Sequence, residues 1–215
     1  MENVISDILN RLDSGNRNLP PTYLYNEGWL LRLILHWFSK NKHLTNHEFG
    51  FLQKSRWYSE ALLSSPFLTE CKKDHLSESY THADGVIGDF QIGGSGKGDL
   101  VLNEDCEQFI VIEAKMYSKL SQGIKNASNY DQVTRNIACM SHMVAKHRID
   151  EEQFKRLGFY IIAPEEQISK DRAFREYTRK ENIIDKVLAR INEYNRNERK
   201  SFNAKINWFN NSCNC

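Results

Sequence analysis

The 215-residue sequence predicts an α/β (α+β) fold, a mixed central sheet flanked by helices, in one domain spanning residues 1–215. Three observations carry that expectation. Strand-length apolar runs, "GVIGDFQI", "GDLVL" and "QFIVIEAKM", succeed one another after Asp84 with turn residues between them, as in antiparallel hairpins. Stretches with helical spacing stand on both sides of this group. A further strongly apolar strand, "LGFYIIAP" (Leu157–Pro164), follows the second helical stretch.

In chain order, "MENVISDILNRLD" places Val4, Ile5, Ile8, Leu9 and Leu12 on one side of an amphipathic helix. "SGNRNLPP" is a loop by composition. "TYLYNEGWLLRLILHWFSK" (Thr22–Lys40) is apolar nearly all round, which predicts a buried helix. A short helix is expected around Trp57–Leu63, ahead of Pro66. Then come the three strands, turned at Gly93–Gly98 and at Asn103–Glu107. Ile124–His147 has helical spacing, with Ile124, Val133, Ile137, Met140 and Val144 as core candidates. After the last strand, one long helix is expected from about Ser169 to Tyr194, with Ile183, Ile184, Val187, Leu188 and Ile191 facing inward.

A formal charge of +1 advertises no global field for a polyanion, though balance leaves room for a local basic groove. No run approaches the roughly 18 apolar residues of a membrane span. The first residues lack the basic start and apolar core of a signal peptide, and the five cysteines (Cys71, Cys106, Cys139, Cys213, Cys215) are odd in number and scattered. Both point to reduced thiols and a cytoplasmic protein without a membrane partner.

The chemistry centres on "EDCEQFIVIEAKMYS" (Glu104–Ser118). Phe109–Ile112 reads as a strand buried on both faces, and alternation puts Glu113 and Lys115 together on one face at its end. A charge buried there is costly unless it is paired or binds a metal. The same E-x-K spelling at Glu70–Lys72 and Glu198–Lys200 stands in polar sequence; only the copy at Glu113 ends a core strand. Asp99 opens the preceding strand, "DLVL", and a hairpin between the two would bring Asp99 beside Glu113. Two carboxylates and a lysine on adjoining strands form a cluster able to hold a hard divalent cation such as Mg²⁺.

These residues resemble the PD-(D/E)xK nuclease superfamily, whose restriction-endonuclease-like core is a helix, a three-stranded meander, a second helix and a further strand. The motif pairs an acid at the start of the second strand with (D/E)-x-K on the third: here Asp99, then Glu113-Ala114-Lys115, in "GKGDLVL…FIVIEAK". Gly98 stands where the family has proline. Many members add a glutamate on the first helix, matched by Glu27 in "YNEGWLLRLIL", and a glutamine on the helix after the motif, matched by Gln132 in "NYDQVTRN". The Q-x-x-x-Y variant has tyrosine where Asn136 stands. The resemblance covers about residues 22–164, leaving an N-terminal helix and a C-terminal helical extension outside it. It implies a metal-dependent nuclease using Mg²⁺ or Mn²⁺, acting on DNA in preference to RNA, and is compatible with a homodimer. Asp99 and Glu113 would be metal ligands, with the Ala114 carbonyl contributing and Glu27 reaching a metal through water. Lys115 would position the attacking water or stabilise the transition state, with Gln132 alongside.

Other readings compete. Glu113 and Lys115 also suit a structural ion pair at a sheet end, and a structure with Asp99 far from Glu113 would favour an interaction protein outside the superfamily. An inactive nucleic-acid-binding module of the same fold is the second alternative. Glu27 suits an early helix turn for dipole reasons alone, and Gln132 suits a helix surface. "GGSGKGD" is not a phosphate loop, because Gln91 occupies the place of the first glycine and Gly98 follows Lys97. His43 and His47 lack zinc-site spacing, and His142 and His147 read as solvated helix residues. Between Lys170 and Lys200 ten Lys/Arg face six acids, an excess that suits either a DNA-facing stripe or a solvated helix face.

Overall fold

The computed structural model describes residues 27–69, 75–93, 98–116, 118–123 and 127–196. The expected N-terminal helix, Cys71, Cys213, Cys215, Lys97 and the last residues of the basic C-terminal stretch lie outside them. The elements are α1 (Glu27–Lys40), β1 (Arg56–Leu63), β2 (Thr81–Gly88), β3 (Phe90–Ile92), β4 (Leu100–Leu102), β5 (Gln108–Ala114), α2 (Gln132–Lys146), β6 (Arg156–Ile162), α3 (Glu165–Lys170), α4 (Arg172–Tyr177) and α5 (Lys180–Arg196). β1, β2, β5 and β6 form a mixed sheet in that order. β2 runs antiparallel to both β1 and β5, and β6 runs parallel to β5. β3 and β4 pair separately as a two-stranded hairpin.

Every residue of β5 is buried, as its β-branched and aromatic run demands. Its alternate residues feed two cores. Phe109 and Val111 join Leu63, Val86, Cys139 and Met143 on the α2 side. Ile110 and Ile112 join Leu31, Leu35, Phe51 and Ile87 on the α1 side. Helix α1 is not wrapped in protein as expected. It buries Leu31, Leu35 and Phe38, while Leu33 and Trp37 are 43% and 54% exposed. One sheet face can cover only one stripe of a helix.

Three further expectations change. Residues 57–63 form β1 rather than a short helix: Trp57, Ala61 and Leu62 mimic helical spacing, but pairing from Arg56–Gly88 to Leu63–Thr81 makes them a strand. α2 starts at Gln132, where Asp131 caps it by accepting from the Thr134 amide, and residues 127–131 before it are not helical; Ile124 lies outside the described residues. The long C-terminal helix is three. It breaks at Asp171, which caps α4 through the Ala173 amide, and again after Tyr177, where Thr178 Oγ1 donates back to the Phe174 carbonyl. On α5, Val187 and Ile191 are buried, whereas Leu188 is exposed. Among the described residues no helix is long and apolar enough to cross a membrane.

The sheet is irregular at one place, opposite the middle of β1. Ala83 packs in the α2-side core, yet a Cβ on Gly85, two residues on, would meet Leu31 and Leu35 of α1 at 3.0 Å. Residues two apart on a regular strand share a face, so β2 turns over at Asp84. Across from it, between the Ser59–Gly85 and Ala61–Ala83 pairs, Glu60 of β1 has φ 57. This left-handed conformation is uncommon for a residue with a Cβ and costs about 1 kcal/mol or more. Replacing Glu60 by glycine should therefore hold or raise the melting temperature, whereas Glu60→Val should lower it by several degrees, because β-branched residues tolerate positive φ worst. Calorimetric melting of the two variants checks this.

Candidate functional site

The site lies where β5 ends and β2, α1 and α2 begin. Glu113 continues the Phe109–Val111 face of β5 toward α2 and is completely buried. Its Oε1 accepts hydrogen bonds from Lys115 Nζ and from Gln132 Nε2, both at 2.6 Å. Its Oε2 accepts from Asn136 Nδ2 at 3.2 Å. Gln132 and Asn136 are four apart on α2, so their amides point the same way. The strand–lysine spacing and the helix–amide spacing thus meet on one carboxylate.

The second acid is Asp84, not Asp99. Asp84 Oδ2 accepts from the backbone N–H of Ala114 at 2.8 Å, which holds its carboxylate beside the Glu113–Lys115 segment. Asp99 instead forms an isolated bridge with Leu62, whose N–H donates to the Gly98 carbonyl. That puts Asp99 outside β1, three strand spacings from β5 and so about 14 Å away across the sheet. The expected hairpin fails because β4 pairs with β3, leaving β2 as the antiparallel neighbour of β5.

Glu27, the first residue of α1, reaches the same end of the sheet. Its Oε1 accepts from the Met116 N–H at 2.7 Å and from Ser118 Oγ, tying down the chain immediately after Lys115. Lys115 is itself only 8% exposed, and its backbone N–H donates to the Ile162 carbonyl of β6 at 2.8 Å.

Electrostatics reflect this crowding. Burial pushes the Glu113 carboxyl up to about 8, and the neighbouring Asp84 charge pushes the same way, while Lys115 pulls it back. Burial works to lower the Lys115 ammonium, but Glu113, Asp84 and Glu27 together outweigh it and hold Lys115 above its ordinary value. A divalent cation placed between Asp84 and Glu113 would relieve their repulsion, and two carboxylates are the usual protein share of a Mg²⁺ site. The donor set therefore fits a hard cation. Among the described residues, no group of three or more His, Cys, Asp and Glu side chains is placed to hold a metal ion.

The remaining candidates are occupied elsewhere. His47 accepts from the Phe49 N–H and packs its ring 4.6 Å from Phe38; His147 is the C-cap of α2, its ring nitrogen 2.7 Å from the Met143 carbonyl. Two cations of the C-terminal stretch turn inward. Lys186 pairs with the buried α2 cap Asp131 and lies over the Tyr177 ring, and Arg190 is buried against Glu78 and Glu193. Sequence reasoning missed Asp84, Asn136 and Ser118. Asp84 was findable: it begins the apolar stretch "DGVIG", and recognising residues 56–63 as the first strand makes it the acid of the second.

The raised Glu113 carboxyl should contribute to the pH dependence of folding. An acid raised in the folded state holds its proton where the unfolded chain, near its ordinary value of about 4.3, has lost it. Stability of the metal-free protein should thus fall as pH rises from about 4.5 to 8, by at most about 1.4 kcal/mol per unit from this group. Urea unfolding of wild type and Glu113→Gln across that window checks it: the difference between them should carry the slope. Comparisons with models of known families, with curated proteins and with solved structures found no match.

Proposed function

We propose that this chain is a metal-dependent nuclease with a restriction-endonuclease-like core, hydrolysing phosphodiester bonds in DNA. The observation that carries this is the convergence of Asp84 with Glu113 and Lys115 at one sheet end. The order of elements supports it: helix α1, the meander β1–β2–β5 with the β3–β4 hairpin inserted, helix α2, then β6 parallel to β5. That is the order expected of the PD-(D/E)xK superfamily, with Ala83-Asp84 on the second strand in place of Gly98-Asp99. The remoteness of Asp99 favours an interaction protein outside the superfamily; Asp84, an acid supplied from the adjacent strand, weighs against that reading.

In this reading Asp84 and Glu113 hold Mg²⁺ or Mn²⁺, with the Ala114 carbonyl available beside them. The metal supplies a water of lowered pKa and neutralises charge gathering on the phosphate. Lys115 orients that water or stabilises the charge of the pentacovalent transition state. Gln132 holds Glu113 in place. Glu27, besides fixing the segment after Lys115, acts on the metal through water. Exposed Arg175 and Arg179 would assist binding to the DNA backbone; Lys186 and Arg190 serve the fold.

The second reading is an inactive nucleic-acid-binding or structural module of the same fold. It draws on the 2.6 Å Lys115–Glu113 pair, which already satisfies both charges.

Two measurements decide between them. Calorimetric titration with Mn²⁺ should show binding lost in Asp84→Ala and kept in Asp99→Ala. Equal binding by both variants would count against the shared site. On linear and circular DNA with Mg²⁺ or Mn²⁺, Lys115→Ala should cleave about a hundredfold or more slowly than wild type while still binding DNA. A wild type that never cleaves, with a Lys115→Ala variant that melts far below it, supports the inactive module.

A further inference from the structure

Asn136 stands in place of the tyrosine of the Q-x-x-x-Y variant and has no part in the proposed chemistry, yet it touches the buried acid at the centre of the site. It is 1% exposed and stands one helical turn after Gln132 on α2. Lys115 and Gln132 both donate to Glu113 Oε1, and Asn136 donates to Oε2. The carboxylate is therefore gripped at both oxygens, which fixes the plane of the group as well as its place. The other end of the Asn136 amide, Oδ1, is buried and has no hydrogen-bond donor among the described residues. A buried amide oxygen without a donor weakens a fold. Leucine has the same branched outline and would avoid that cost, so the contact with Glu113 is what asparagine adds here.

We propose that Asn136 is a positioning residue, which sets the plane of the Glu113 carboxylate for a divalent cation shared with Asp84, and that the fold tolerates the stranded Oδ1 for this purpose. The proposal rests on the metal-site reading and adds a residue to it. Hydrogen-bonding partners behind metal ligands commonly change metal affinity by about tenfold to a hundredfold.

The experiment measures Mn²⁺ affinity by calorimetry and the melting temperature of the metal-free full chain, for wild type, Asn136→Leu and Glu113→Gln. In Asn136→Leu, Mn²⁺ should bind about tenfold to a hundredfold more weakly. Its metal-free melting temperature should fall by only a few degrees, because removal of Oδ1 offsets part of the lost donor to Glu113 and of the room the larger methyl groups need. Equal Mn²⁺ affinity in wild type and Asn136→Leu overturns the proposal, as does a large fall in melting temperature without a change in affinity. If Asn136→Leu does not fold, Asn136→Ala takes its place; failure of both to fold assigns Asn136 to the fold and overturns it. If Glu113→Gln binds Mn²⁺ as wild type does, the metal site itself falls, and the role of Asn136 with it.

Discussion

The structure is organised around a carboxylate that water does not reach. Glu113 ends the most buried strand of the sheet, and a bare charge there would cost several kcal/mol. The surrounding elements answer that cost with donors. The chain just past β5 supplies Lys115, and the first turns of α2 supply Gln132 and Asn136. β2 adds Asp84, which works the other way by raising the proton affinity of Glu113. A structure optimised for stability alone would not set a second carboxylate against a buried one. Placed there, Asp84 costs stability that the donors around Glu113 offset in part.

The same logic governs the far side of α2. Glu78 is buried and takes Arg135 from α2 at 3.3 Å and Arg190 from α5 at 3.4 Å. Asp131 caps α2 and takes Lys186 from α5. Helix α5 is thus fastened to α2 by two charged contacts as well as by the apolar cluster of Phe67, Tyr130, Val187, Ile191 and Tyr194. Since α2 carries Gln132 and Asn136, the C-terminal helix braces the wall of the site from behind.

Strand β5 was legible in the sequence because an uninterrupted β-branched run has few alternatives, and β6 for the same reason. The sequence motif Glu113–Lys115, with Glu27 and Gln132, was legible too, because each stands at a boundary of a strongly patterned element. β1 was not. Its exposed edge mixes polar and aromatic residues, and the apolar ones happen to repeat at four, so only pairing with β2 makes it a strand. That error propagates: with the first strand unrecognised, the strand count runs one too late and points to Asp99 instead of Asp84 as the partner acid. Asn136 was legible only as a departure from the Q-x-x-x-Y tyrosine. Its contact with Glu113 is tertiary and leaves no local signal in an amphipathic helix.

The contacts that build the site join remote parts of the chain. Glu27 and Met116 are separated by 89 residues, and Asp84 and Ala114 by 30. Contacts of such long sequence separation cost loop-closure entropy before they reward the chain. A half-folded chain therefore contains the residues of the cluster without their arrangement. The cluster exists only once the sheet has closed, so it is a property of the finished fold and of no segment within it.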